Sequence, residues 1–442
     1  MPDLVNGIVD WGGNLLGQYA TVAPETIRWI LMRSYDGVRW GTKHLPNRRK
    51  PPAGQMASHL ALKTITDALD NYDQAVITSI WLPSEVFLAM GLHPVCAEVL
   101  SGAIASTKAE ASFLAEAENR GVPATYCSYH RVLLGLAASE VLTAPRMLAS
   151  CSVACDANNL TFKTLAHYWG TPHFYVDVPF EADDESIHYV ADQLRRMGSM
   201  AEDVFGRKLY LPALTERVAV SQESLALLQQ TLPLRRGKYL ASDMGLEMQE
   251  ALATHLALGT DDALHMLRQQ TEDFAHAEPY EGLNIVWAHT PPYFQIDSLK
   301  QELNQNRNAQ IVASDMLYDQ IPAQGTTWAY GPDQPFEAMA ERLCTCCFNG
   351  PATRRADRLL RLARETAADG VVVFCHWGCK ETAGASQLIA HRLEAAGYPV
   401  LILDGDGCDR ANCMEGQMST RFTAFLEMLR ARREEAVHAD AR

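Results

Sequence analysis

Beyond residue 60 the chain alternates short apolar runs with longer amphipathic ones, and few folds accept such a pattern. The run Val371–Val372–Val373–Phe374 reads as a buried strand, being short, continuous, apolar and rich in β-branched residues. Ala75–Ile80, Ala124–Tyr126, Arg146–Ala149 and Phe174–Val178 read as strands in the first half, separated by helical patterns such as PVCAEVLSGAIAS and SFLAEAENRG. Leu283–His289, Gln310–Ala313, Gly370–Phe374 and Val400–Leu403 repeat the scheme in the second half, with helices at Arg354–Ala368 and Ala385–Ala396. Strands and helices in this order make parallel sheets covered by crossover helices. The predicted fold is α/β: two parallel-sheet domains facing a cleft, joined by a helical segment, with an N-terminal helical extension. By residue, 1–60 form the extension, helical over Glu25–Tyr35 and ending in the basic, Pro-rich HLPNRRKPPAGQ. Residues 61–183 form the first α/β domain, 184–273 a polar helical segment without strand signal, and 274–442 the second domain.

A formal net charge of −15 argues against nucleic acid or an anionic membrane as the main partner. The segment MPDLVNGIVDWGG lacks the basic and apolar regions of a signal peptide, and no apolar stretch reaches spanning length. A cytoplasmic location is expected, and disulfides are then a poor account of eleven cysteines.

The cysteines cluster. Cys127, the pair Cys151 and Cys155, the pair Cys375 and Cys379, and Cys408 all follow predicted strands, where open parallel sheets place their ligand crevice. Two sheets facing one another would bring thiols of both halves into one cleft. In CSVAC and CHWGC the cysteines stand four residues apart, one face of a starting helix, where the helix dipole favours thiolate. This is neither the C-x₂-C of structural zinc nor a ferredoxin run. Cys96 and Cys344 read as core residues. For proton transfer the nearby groups are His130, His376, Lys380 and Glu381, with Asp404 and Asp406, each of which also has an ordinary role in loop hydrogen bonding or turn capping. GDGCDRANC has neither P-loop nor dinucleotide-binding order.

Several segments agree in order and spacing with one family. GVVVFCHWGCKETAGASQLIAHRLEAAGYPVLILDGDGCD and EGQMSTRFTAFLEML resemble the C-terminal half of 2-hydroxyacyl-CoA dehydratase D-component subunits; IWLPSEVFLAMGLHPV, CSVACDANNLTFKTLA and FYVDVPF resemble the N-terminal half. The resemblance runs from Tyr72 to Leu429. It implies two α/β domains around an iron–sulfur cluster held by three cysteines, which by position are Cys127, Cys155 and Cys379, the last eighteen residues before Gly397. It also implies a separate ATP-hydrolysing activator, itself carrying a 4Fe-4S cluster, as electron donor.

The chain departs from the family pattern by offering further cysteines at the same places: Cys151, Cys375 and either Cys346 or Cys347, with Cys408 as an outside choice. The doubling, and the CHWGCK and LDGDGCD segments, resemble the family branch that binds a double-cubane 8Fe-9S cluster. The expectation is a homodimeric iron–sulfur reductase of small molecules, driven through the activator. Two rivals remain: a dehydratase or aryl-CoA reductase subunit with a single 4Fe-4S cluster, and a non-catalytic electron carrier.

Overall fold

The computed structural model describes residues 12–292, 296–322 and 325–440. The first eleven residues of the extension, with most of its MPDLVNGIVDWGG stretch, lie outside them. Two four-stranded, wholly parallel sheets organise the chain. The first contains β1 (Ala75–Thr78), β2 (His93–Cys96), β3 (Met147–Cys151) and β4 (His173–Val176), in the order β2-β1-β3-β4. The second contains β5 (Leu283–Ala288), β6 (Ala309–Ser314), β7 (Gly370–His376) and β8 (Val400–Gly405), in the order β6-β5-β7-β8. The two orders are the same, so β3 and β7 occupy equivalent places.

Every residue of β1, β3, β5 and β6 is buried, because helices cover both faces of each sheet. Period-2 alternation divides β7 between two cores: Val371 and Val373 pack with Leu359, Leu362 and Ile389, and Val372 and Phe374 with Trp287, Leu403 and Phe422. Between β4 and β5 the chain forms the helices Asp184–Phe205, Leu211–Leu234, Met244–Leu256 and Asp261–His276.

Packing crosses the divisions drawn along the chain. The helix Pro52–Asp70 spans residue 60 and gives Ala57 and Leu60 to the second core but Ala61, Ile65 and Ala68 to the first. The helix Pro335–Thr345, within the second half, buries Met339, Leu343 and Cys344 in the first core. A buried ion pair joins the same regions: Arg342 donates from both terminal nitrogens to Glu85, at 2.5 and 2.9 Å, while Ser221 of the helical segment donates to the same carboxylate at 2.7 Å.

Several sequence expectations are corrected. Ala124–Tyr126 is a turn, not a strand, closed by the Tyr126 amide on the Pro123 carbonyl at 2.9 Å. Cys127 therefore follows no strand. Pro94–Cys96, read as helix, belongs to β2, and the helix begins at Ala97. Three apolar residues before a long helical pattern carry too little periodicity to mark a strand. Cys151 and Cys375 lie inside β3 and β7 rather than beyond them. The extension's helix runs from Pro24 to His44, longer than its periodic core, Glu25–Tyr35.

Candidate iron–sulfur site

Cys127, Cys155 and Cys379 are each the N-cap residue of a helix: Ser128–Ala138, Asp156–Trp169 and Lys380–Ala395. All three line one cavity of about 70 Å³ between the domains. Amides of the first helical turns (Tyr129; Ala157 and Asn158; Thr382) favour the thiolate of each, as positive helix ends do. Burial opposes them and pushes all three thiols up, and Cys127 is raised further by Cys155 and Cys379. Three converging thiols that repel one another as anions want a positively charged core between them. No three Cys, His, Asp or Glu among the described residues lie close enough to ligate a single ion. Thiolates are the donors that iron–sulfur clusters take, one per iron.

The two C-x₃-C segments use the same local geometry. Cys151 ends β3 and Cys375 lies in β7; the chain then turns through a left-handed residue, Ala154 (φ 64°) or Gly378 (φ 79°), directly before Cys155 or Cys379. That turn moves the second cysteine to the helix terminus and leaves the first in the sheet. The paired sulfurs therefore do not share a helix face, as their spacing had implied. Gly378 is needed twice over, for a Cβ there would stand 2.8 Å from the backbone N and Cα of Cys127.

The remaining predicted ligands do not line the cavity. Cys151 is buried 3.7 Å from the Ser79 hydroxyl. Cys375 continues the Val371/Val373 face, near Ser386 and Asp404, where burial pushes its thiol to about 11. Cys346 lies 3.9 Å from Asp319, whose Oδ2 also accepts from Trp81 at 2.8 Å. Cys347 lines a larger adjoining cleft of about 440 Å³, shared with Cys155, Lys380 and Glu381. Cys408 points at the Ser101 carbonyl, 3.7 Å away.

Three histidines reach the cavity. The Gly407 amide donates to His376 Nδ1 at 2.8 Å, so the neutral ring carries its proton on Nε2, 3.4 Å from Cys127 Sγ. His130 Nε2 stands 3.8 Å from Cys155 Sγ; its Nδ1 is buried without a partner among the described residues, and burial pushes its pKa down to about 3. His289 stacks on His376, centroids 5.8 Å apart, in the left-handed region at φ 76°. Burial holds His289 well below its ordinary pKa. Glu381 is engaged by Arg355 at 2.7 Å, which removes it as a free acid. Asp404 is exposed and pairs with Arg421 at 3.1 Å. Asp406 organises a turn: its Oδ1 accepts the amides of Cys408 and Asp409 at 2.8 and 2.9 Å, and the Ser128 hydroxyl of the other domain at 2.5 Å.

Sequence reasoning passed over His289 and Glu98, which also lines the cavity. His289 directly follows an apolar run, a usable signal. Glu98 was hidden because the strand before it went unread. Burial raises its carboxyl above the usual range, and Cys96 Sγ donates to it at 3.0 Å.

A family model described as 2-hydroxyglutaryl-CoA dehydratase, D-component, matches residues 80–429. The alpha subunit of (R)-phenyllactyl-CoA dehydratase from Clostridium sporogenes is 23% identical over 382 residues, 80% of this chain and 88% of that subunit.

Proposed function

This chain belongs to the 2-hydroxyglutaryl-CoA dehydratase D-component family, and from that premise we propose that it is an iron–sulfur enzyme reducing a small molecule with electrons from an ATP-hydrolysing activator. The observation that carries this reading is the convergence of Cys127, Cys155 and Cys379, from both domains and three helix termini, on one buried cavity. These three would hold the cluster, which when bound supplies one-electron chemistry at low potential. The chain's own residues do the rest. Trp81, Met248, Met316 and Phe348 wall the cavity with apolar surface and limit water. His376 directs a ring N–H toward the Cys127 sulfur. Glu98, whose carboxyl burial raises above its ordinary range, faces the same space as a proton-transfer group, with His130 and His289 as neutral groups lining the same cavity.

The doubled cysteines favour the double-cubane 8Fe-9S form. Cys347 supports it, since it opens on the cleft that Cys155 also lines. Cys151 and Cys375 would join a second cubane only by leaving their strand positions. A single 4Fe-4S cluster in a dehydratase subunit is the second reading, favoured by the phenyllactyl-CoA dehydratase relative and by the three-thiol cavity. A homodimer is proposed with the first reading, an unlike partner subunit with the second.

Iron and acid-labile sulfide in anaerobically purified protein separate the two. About eight irons per chain supports the fused pair and about four the single cubane. Stoichiometric zinc without iron removes both. Cys375→Ser halves the iron if Cys375 serves a second cubane, and leaves it unchanged if the thiol only packs in its strand.

A further inference from the structure

Cys347 also borders a second cleft, of about 510 Å³, walled by the helix Ala352–Thr366. Arg354, Arg358, Arg361 and Arg364 line it at spacings of three and four residues, which places them along one helix face. The cleft's two carboxylates do not neutralise them. Glu341 accepts the backbone amides of Ala329 and Tyr330 at 2.9–3.1 Å, and Asp357 accepts from Arg392 at 2.6–2.7 Å. Of the four guanidiniums only Arg361 has an acidic partner among the described residues, Glu365 at 2.6 Å.

Part of the cluster has a structural explanation. Arg354 donates to the carbonyls of Cys344, Asn349 and Phe180, tying loops together. Arg358 is different: the residue is only 8% exposed, Nη2 donates to the Ile321 carbonyl at 2.6 Å, and Nη1 is covered without any partner among the described residues. Arg364 is exposed and has no side-chain partner among the described residues. Uncompensated cationic charge, one group of it deeply desolvated, is costly to gather in one place. In a chain of net charge −15 it is also a local reversal of sign. Planar guanidinium forks match the oxygen pairs of phosphate and carboxylate.

We propose that this cleft binds a small, multiply charged oxyanion, the phosphate or polycarboxylate portion of a metabolite, with Arg358 and Arg364 as its recognition groups. The site does not depend on the cluster reading above, for none of its four arginines lines the thiol cavity.

Calorimetric titration of the anaerobically purified full chain in chloride buffer tests it, with inorganic phosphate, pyrophosphate and citrate as separate probes. The expected result is saturable binding of at least one, with a matching rise in unfolding temperature. Pyrophosphate over citrate identifies a phosphate ligand, and the reverse order a polycarboxylate. Arg364→Gln removes no side-chain hydrogen bond or ion pair among the described residues and should weaken binding about tenfold; Arg358→Gln should weaken it at least as much. Absence of saturable binding by all three probes up to about 10 mM overturns the proposal. So does unchanged affinity in Arg364→Gln, which decides the matter alone if Arg358→Gln does not fold.

Discussion

His376 is held by contacts of opposite sense. Its Nδ1 accepts the Gly407 amide, which leaves the ring proton on Nε2 and aims it at the Cys127 sulfur, 3.4 Å away. Donors to a cluster's thiolates raise its reduction potential by stabilising the more negative, reduced state. His376→Leu should therefore lower the potential by tens of millivolts, read by electrochemical titration under EPR; an unmoved potential assigns the ring to packing alone. Glu98 offers a second residue-level test. Burial raises its carboxyl above the ordinary 4.5, so the neutral form is the one the fold prefers. Its contribution to stability is complete below about 4.5 and is lost as pH rises through the higher folded value. Glu98→Gln, neutral at every pH, should melt above the wild type at pH 8, the gap closing toward pH 5. A gap independent of pH counts against the raised carboxyl.

The strand-to-helix turns decide which cysteines meet. CSVAC and CHWGC look alike in sequence, and both place a left-handed residue before the second cysteine, yet one uses alanine and the other glycine. Alanine at φ 64° is strained, so Ala154→Gly should be neutral or gain up to ~1 kcal/mol in urea unfolding. Gly378→Ala should lose about 1–3 kcal/mol and disturb iron loading, because its Cβ would strike the Cys127 backbone as well as strain the turn. Equal behaviour of the two variants would mean that the close approach is absent. The spacing C-x₃-C was legible at once; that its first cysteine stays in the sheet was not. The polar residues after Phe374 hid the last two residues of β7, Cys375 and His376, whose ladder partners, Asp404 and Gly405, lie far along the chain.

At the scale of the molecule, two sheets of identical strand order are tied together by segments that local patterns cannot assign to either. Helix Pro335–Thr345 belongs to the second half by sequence and to the first core by packing. Its Arg342 meets Glu85 in a buried pair, and removing one partner strands the other charge away from water. Arg342→Ala should thus destabilise the chain by about 3–5 kcal/mol, seen as a lower urea midpoint; a loss under about 1 kcal/mol means water reaches Glu85. The sequence by itself determined the α/β class, all but one of the strands, the helical linker and the grouping of thiols, since these follow from hydrophobic periodicity and from motifs written in adjacent residues. The family resemblance had already named Cys127, Cys155 and Cys379. Only the tertiary structure decided that the other candidate thiols stay outside their cavity, that Cys127 is positioned by a turn, that His289 and Glu98 line the same cavity, and that four arginines gather with too few acids among the described residues to balance them. Convergence depends on how far each strand extends and which way its last side chain points, and those are settled by pairing and packing between residues far apart in the chain.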